Sequence, residues 1–327
     1  MRTAKALGVV ILALVGLVAA GLLSLVRPDI PYAELQRKYA APGDSYMPLP
    51  DGVVVHYRDQ GPRGAPTLVL IHGFSASLID WDDWTDRLDN RYRVIRLDLP
   101  GHGLTRAPAG YHASIDGYAD LVDDVTRRLN APRFVLAGNS MGGGMAWVFA
   151  LRHPERLDGL VLVDAAGWPR RSPQKGSPVI FKLLANPLAR AVFKRIDLKP
   201  LIAQGLRAAF VDPRLVTPAL VDRYADFARA PGHRAILLTL QERSRAGVSV
   251  ADLARIRVPT LVMHGEADRL IPFADGQAFA REIPGAVLIA YPGVGHVPME
   301  QVPARSANDL DQWLRRTVYG ADARGGG

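Results

Sequence analysis

The residues with the clearest chemical potential lie in Gly138-Asn139-Ser140-Met141-Gly142. An apolar stretch, Phe134 to Ala137, runs into this pentapeptide and a helical pattern, Met141 to Arg152, runs out of it. A serine so placed, with glycine two residues away on each side, suits a turn that lifts its hydroxyl out of a sheet. In a chain with 31 glycines the bare pattern arises by chance about once in ten sequences, so its place between strand and helix carries the weight. A serine hydroxyl is a weak nucleophile until a base removes its proton. Among eight histidines, His296 is the expected base: it sits in Gly293-Val294-Gly295-His296, after an expected strand and before the last helix. His72 and His102 lie in glycine-rich loops bordering the same region. His56 and His264 fall in or beside strands and read as structural, whereas His112, His153 and His233 read as surface or loop residues.

A catalytic histidine needs an acid to hold its tautomer. Asp268, in His264-Gly265-Glu266-Ala267-Asp268, completes the chain order Ser, Asp, His. Glu266 and Asp164 are the alternatives, the latter because it ends the strand after the nucleophile helix. For Asp268 the bland reading is a solvated loop acid before Pro272. A developing oxyanion requires donors already in place. Met141 N–H, at a helix start directly after the serine, supplies one. Phe74 N–H, in the loop His72-Gly73-Phe74, is expected to supply the other.

Elements that could position these groups are legible from residue 52 onward. Short β-branched runs at 53–57, 67–71, 92–97, 134–137, 160–163, 260–263 and 287–291 read as strands. Helical patterns at 115–129, 141–152, 274–282 and 304–317 lie between or after them. Near-continuous apolar strands alternating with helices predict an α/β fold, with a mostly parallel central sheet covered by helices on both faces. The region from 167 to 250 breaks the rhythm: it contains helical segments separated by prolines and no convincing strand, and it reads as a helical insertion.

At the amino end, Arg2 and Lys5 precede an uncharged run from Ala6 to Val26, 21 residues long. As a helix it would span about 31 Å, close to the hydrocarbon thickness of a bilayer. Its length favours an uncleaved transmembrane anchor over a signal peptide cut near Val18-Ala19-Ala20. Arg2, Lys5 and the amino terminus favour a cytoplasmic start with the body outside the cytoplasm, and Arg27, Arg37 and Lys38 argue the other way. The cleaved alternative is a secreted or periplasmic protein. Five prolines make 28–50 read as a linker, and the tail 319–327 is expected to be disordered. The chain then divides into 1–27 anchor or signal, 28–50 linker, 51–166 and 251–318 core, 167–250 insertion, and tail.

The absence of cysteine excludes disulfides, thiolate metal sites and a cysteine nucleophile. The chain carries a net charge of +8, and the insertion alone, with 15 Lys+Arg against 5 Asp+Glu, carries +10. A solvated helical surface accounts for that excess. An anionic lipid surface is the partner it would suit beside an anchor, and no motif accompanies it that would indicate nucleic acid.

Five segments in order, His72-Gly73-Phe74, Asp98-Leu99-Pro100-Gly101-His102-Gly103, the serine turn, Gly265-Glu266-Ala267-Asp268 and Gly295-His296, resemble the α/β-hydrolase superfamily across about residues 50–318. The resemblance implies that 167–250 forms a cap over the active site. Members with an aspartate nucleophile, the haloalkane dehalogenases and epoxide hydrolases, are set aside by Ser140. The chain looks similar to carboxylesterases and lipase-like esterases, and to carbon–carbon hydrolases of meta-cleavage products. The latter usually carry tryptophan after the catalytic histidine and a Ser-Gly-Pro-Gly-like oxyanion loop; Val297 and Phe74-Ser75-Ala76-Ser77 stand here instead. The expectation is therefore hydrolysis of a small-molecule carboxylic ester through an acyl-serine, with no metal or organic cofactor. A carbon–carbon hydrolase is the alternative, and a non-catalytic binding protein on the same fold is the alternative of another class.

Overall fold

The computed structural model describes residues 26–169, 193–240 and 249–320, together with Gly16 and Gly21. The expected anchor and tail 319–327 thus lie outside the described residues, apart from Gly16, Gly21, Val26, Arg27, Tyr319 and Gly320. Tyr319 is not disordered as expected, since its ring packs on the body and its N–H donates to Leu314 O at 2.9 Å. Among the described residues, no helix is long and apolar enough to cross a membrane.

Among the described residues, eight strands form one sheet: β1 (Ser45–Pro48), β2 (Val54–Gln60), β3 (Thr67–Ile71), β4 (Arg93–Leu97), β5 (Phe134–Asn139), β6 (Leu157–Val163), β7 (Thr260–Gly265) and β8 (Val287–Tyr291), in the order β1-β2-β4-β3-β5-β6-β7-β8. The first two pairings are antiparallel and the other five parallel. Successive side chains of a strand face opposite sides, and both sides are dry here. Val69, Ile71, Phe134 and Leu136 join one apolar cluster, while Leu68, Leu70, Val135 and Ala137 join the other. That explains why the central strands read as continuous apolar runs.

Helices cover the two faces. In the first cluster lie side chains of α3 (Ile115–Arg128), α4 (Met141–Arg152) and α9 (Phe273–Glu282); in the second lie those of α2 (Asp82–Leu88) and α11 (Pro303–Trp313). Ser114 caps α3 by accepting the Gly117 N–H at 3.0 Å. Helix α4 is buried from Met141 through Ala150, so apolar residues surround it on every side rather than forming one stripe.

The stretch 28–50 differs from the linker expected of it. It holds α1 (Tyr32–Tyr39) and β1. Leu35 is buried with Ile30, Leu104 and Phe227, and β1 pairs with β2 through Ser45–Tyr57 and Met47–Val55. Five prolines suggested an extended tether, but the apolar side chains between them find partners on the body, and packing overrides the local breakers.

Between β6 and β7 the described residues hold α5 (Lys199–Ala209), α6 (Pro218–Ala228), α7 (His233–Leu240) and α8 (Val250–Leu253), and no strand of the sheet. Residues 170–192 and 241–248 of the expected insertion lie outside the description. Leu206, Phe210, Val221 and Tyr224 pack into the second cluster, and Ile236 and Leu240 into the first. Two carboxyl groups and one guanidinium meet at this joint. Arg223 of α6 lies 3.0 Å from Asp80 and 3.3 Å from Glu300, and Tyr224 Oη donates to Asp80 at 2.6 Å. Burial raises the pKa of both acids and Arg223 opposes it; the charge of Asp98 adds to the shift of Asp80, and that of Asp80 to the shift of Glu300.

Candidate active site

Ser140 occupies the tip of β5 with φ 53° and ψ −115°, a left-handed conformation costing a non-glycine residue about 1–3 kcal/mol. The surroundings enforce it. Ser140 N–H donates to Val163 O at 3.0 Å, and Ser140 O accepts from Gly144 N–H and Ala166 N–H, both at 2.9 Å. The flanking glycines are sterically required: a Cβ on Gly138 would strike the Gly142 carbonyl, and one on Gly142 would strike the carbonyl oxygen of Ile71.

The loop after β3 lies against the serine, since a Cβ on Gly73 would come within 3.3 Å of Ser140 Cβ. His72 fixes this loop, accepting Leu99 N–H at Nε2 (3.0 Å) while Nδ1 meets Gly73 O (2.8 Å). Neither Phe74 N–H nor Met141 N–H has an acceptor among the described residues. Two unclaimed donors beside a serine hydroxyl are what an oxyanion site needs.

His296 lies in the loop between β8 and α10 (Pro298–Gln301) and is 5% exposed. Its Nδ1 bonds Asp268 Oδ2 at 2.7 Å. With that nitrogen as donor to the carboxylate, Nε2 is left with the lone pair of a base. Two further bonds seat the loop: His296 N–H donates to Ala209 O of α5 at 2.8 Å, and Asn139 Nδ2 donates to His296 O at 3.0 Å. The residue preceding the serine thus holds the histidine loop at the tip of β5. Asp268 is fully enclosed at its side chain, and its Oδ1 accepts Leu270 N–H (2.7 Å) and Ile271 N–H (3.0 Å). Burial opposes the charge of Asp268, but His296 and those N–H groups outweigh it and hold the carboxyl below its ordinary range.

The structure therefore brings Asp268 to His296 and places Asp164 behind Asp268, while Glu266 faces solvent. Asp164, His264 and Asp268 each offer one atom within 4.8 Å of the others. As a metal set they fit poorly, because both Asp268 oxygens already accept hydrogen bonds. His233, read as a surface or loop residue, is instead fully buried, bonding Tyr32 Oη (3.0 Å) and Phe227 O (2.8 Å). Asn139 and Ala209 act through contacts far apart in sequence. Only the position of Asn139 beside the serine could have drawn notice.

A family model described as the alpha/beta hydrolase fold matches residues 66–303. The chain is 29% identical over 279 residues to a bifunctional esterase/perhydrolase of Acinetobacter calcoaceticus, covering 83% of this chain and 99% of that one. Among solved structures, a bacterial membrane phospholipase A is 28% identical with a TM-score of 0.69, covering 94% of this chain and 97% of that one. A meta-cleavage product hydrolase of Pseudomonas fluorescens IP01 is 25% identical with a TM-score of 0.71, covering 83% and 97%. Sheet order, the strained serine turn and the family match agree, and the chain belongs to the α/β-hydrolase family.

Proposed function

We propose that this protein hydrolyses carboxylic esters through an acyl-Ser140 intermediate, and that its substrates are lipid-like esters met at a membrane surface. The observation that carries the chemistry is the conjunction at one end of the sheet. Ser140 stands on a strained turn beside two unclaimed N–H groups, and a histidine tethered by Nδ1 to a buried carboxylate is held there by Asn139. His296 Nε2 takes the Ser140 proton as Oγ attacks the ester carbonyl, and the N–H groups of Phe74 and Met141 receive the oxyanion. Collapse breaks the acyl C–O bond, and His296 returns the proton to the departing alcohol. Water, deprotonated by His296, then attacks the acyl-serine; the acid leaves and Ser140 regains its proton. No cofactor enters this sequence.

Support for a lipid-like substrate comes from where the chain leaves its apolar run. Arg27 N–H donates to Arg195 O at 2.8 Å, and Val26 bridges Ile196. Arg234 reaches Arg27 O (3.0 Å) and pairs with Asp29 (2.6 Å), while Ile30 N–H donates to Arg229 O at 2.8 Å. An anchor at 6–26 would hold the helices between β6 and β7 at the bilayer, where exposed Lys194, Arg195 and Arg207 would each gain roughly 1 kcal/mol from anionic lipid. The likeness to a membrane phospholipase A over 94% of the chain agrees with this reading. Likeness to a meta-cleavage product hydrolase supports carbon–carbon hydrolysis as the second reading, and Val297 after the histidine weighs against it.

A chain-length series of p-nitrophenyl esters tests the chemistry. Turnover is expected to favour longer acyl chains and to vanish in Ser140→Ala with the fold intact; undiminished activity in that variant would refute the assignment. Full-length protein should hydrolyse ester lipids faster in anionic than in neutral vesicles, with the advantage lost at high salt. Equal rates on both would count against the membrane surface.

A further inference from the structure

Behind Asp268, at the tip of β6, sits a second carboxyl group for which the reaction above has no use. Asp164 has no solvent exposure, and its backbone turns through φ 44°. Its N–H donates to Met263 O at 2.9 Å, and its Oδ1 accepts Gly265 N–H at 2.9 Å. Its Oδ2 is buried without a donor among the described residues. His264 Nε2 lies 3.6 Å from Asp164 Oδ1 and equally far from Asp268 Oδ2, but its bond goes to Ile271 O at 3.2 Å. Among the described residues, no lysine or arginine pairs with either acid.

Two carboxylates enclosed this closely repel each other, and an ionised Asp164 would leave a dry oxygen with no donor. One proton resolves both problems. Asp268 is the poorer place for it, because its oxygens already accept from His296, Leu270 and Ile271. Burial first, and then the Asp268 charge, push the Asp164 carboxyl well above its ordinary range.

We propose that Asp164 is a positioning residue: as a neutral carboxylic acid it donates a hydrogen bond from Oδ2 to Asp268, so that the pair presents His296 with a single negative charge and a fixed acceptor. This rests on the triad read above. The groups facing the pair are His264, His296 and Tyr291, whose buried hydroxyl feels the charge of Asp164 and bonds Asp309 at 3.1 Å. Burial lowers the pKa of His264, which keeps its imidazole from supplying the missing cation. The proton itself is therefore what the site uses to balance its charge.

Infrared difference spectra of the full-length protein test the proposal without relying on turnover. Wild type minus Asp164→Asn at neutral pD should contain the carbonyl band of a protonated carboxylic acid, and its absence would overturn the proposal. In ester turnover, normalised by active-site titration, Asp164→Val should lower kcat about tenfold with KM little changed, the scale of one lost hydrogen bond. Asp164→Asn, whose amide can still donate, should recover most of that loss; equal losses in both variants, or none in either, would overturn it. Should Asp164→Asn fail to fold, Asp268→Asn replaces it: weakening the acceptor must shift the same band, and an unshifted spectrum contradicts the pairing. A wild type with no esterase activity would defeat the functional reading, while the infrared result would still decide where the proton sits.

Discussion

Among the described residues, two buried histidine–aspartate pairs of nearly equal length differ in what their second ring nitrogen meets, and the proposed chemistry needs only one of them as a base. His296 Nδ1 bonds Asp268 at 2.7 Å and His56 Nδ1 bonds Asp98 at 2.6 Å. Each carboxylate also accepts two backbone N–H groups: Leu270 and Ile271 for Asp268, Leu78 and Leu104 for Asp98. The difference lies at the second ring nitrogen. His56 Nε2 approaches Asp44 Oδ2 within 3.1 Å as an ion pair, so both nitrogens face carboxylates. Burial opposes the charge on His56, but Asp44 and Asp98 outweigh it and raise its pKa to about 9. An imidazolium between two carboxylates has no lone pair to offer. Among the described residues, His296 pairs with no carboxylate other than Asp268, which meets it at Nδ1. A histidine–aspartate contact is thus a poor marker of catalysis, and the partner of the far nitrogen decides the role.

The sharpest way to break this comparison is to remove each histidine in turn. His296→Ala should lower kcat on the order of 10⁴- to 10⁶-fold, as loss of a triad member does, at a stability cost of about 1–3 kcal/mol for the Asp268 oxygen left without its donor. His56→Leu should do the reverse: about 3–5 kcal/mol of stability is lost because the buried carboxylate of Asp98 loses its cation, although Asp44 keeps Arg58, while kcat per folded molecule stays within a few-fold. Thermal unfolding beside active-site-titrated turnover separates the two, and a comparable kcat loss in both variants would erase the distinction.

Protonation provides a gentler contrast. With a folded pKa of about 9 against about 6.5 unfolded, the stability contributed by charged His56 is fully present below pH about 6.5 and is lost as pH rises through about 9. Asp44 behaves oppositely. Burial opposes its charge, but His56 and Arg58 lower its pKa to about 2, so its contribution disappears as pH falls from about 3.8 through 2. Melting curves from pH 6 to 10 should decline in wild type and flatten in His56→Leu. Identical slopes would remove His56 from the account.

The smallest expected effects come from the hydrogen bonds that seat each pair. Asn139→Ala frees the His296 carbonyl and should lower kcat by roughly three- to tenfold. Thr105→Val removes the Oγ1 that accepts His56 N–H at 2.8 Å and should cost about 1 kcal/mol of stability without a kinetic signature. Exchange of those two phenotypes would sink the division of labour.

How much was legible beforehand follows from the range of each interaction. Ser140 and its glycines could be read because strand, turn and helix are contiguous. Chain order alone distinguished Asp268 from Asp164 and Glu266, since a carboxylate's partner is a matter of distance. Helix α2 escaped notice because Asp82, Asp83, Asp86 and Arg87 obscure an inner face made of Trp84, Thr85 and Leu88. Asp44 sat in a proline-rich stretch read as a linker, yet it supplies the second carboxylate of His56. That function depends on β1 pairing with β2, a contact no local pattern announces. His233 was misread for the same reason: its partners Tyr32 and Thr105 lie 201 and 128 residues away.

The most direct measurement is intact-mass and peptide mapping after treatment with a fluorophosphonate, which reports an activated serine without any assumption about substrate. One covalent adduct is predicted, on the peptide carrying Ser140, formed rapidly by wild type and His56→Leu alike and slowed by orders of magnitude in His296→Ala. An adduct on another residue, no adduct, or equal labelling of the His296→Ala variant would contradict the account.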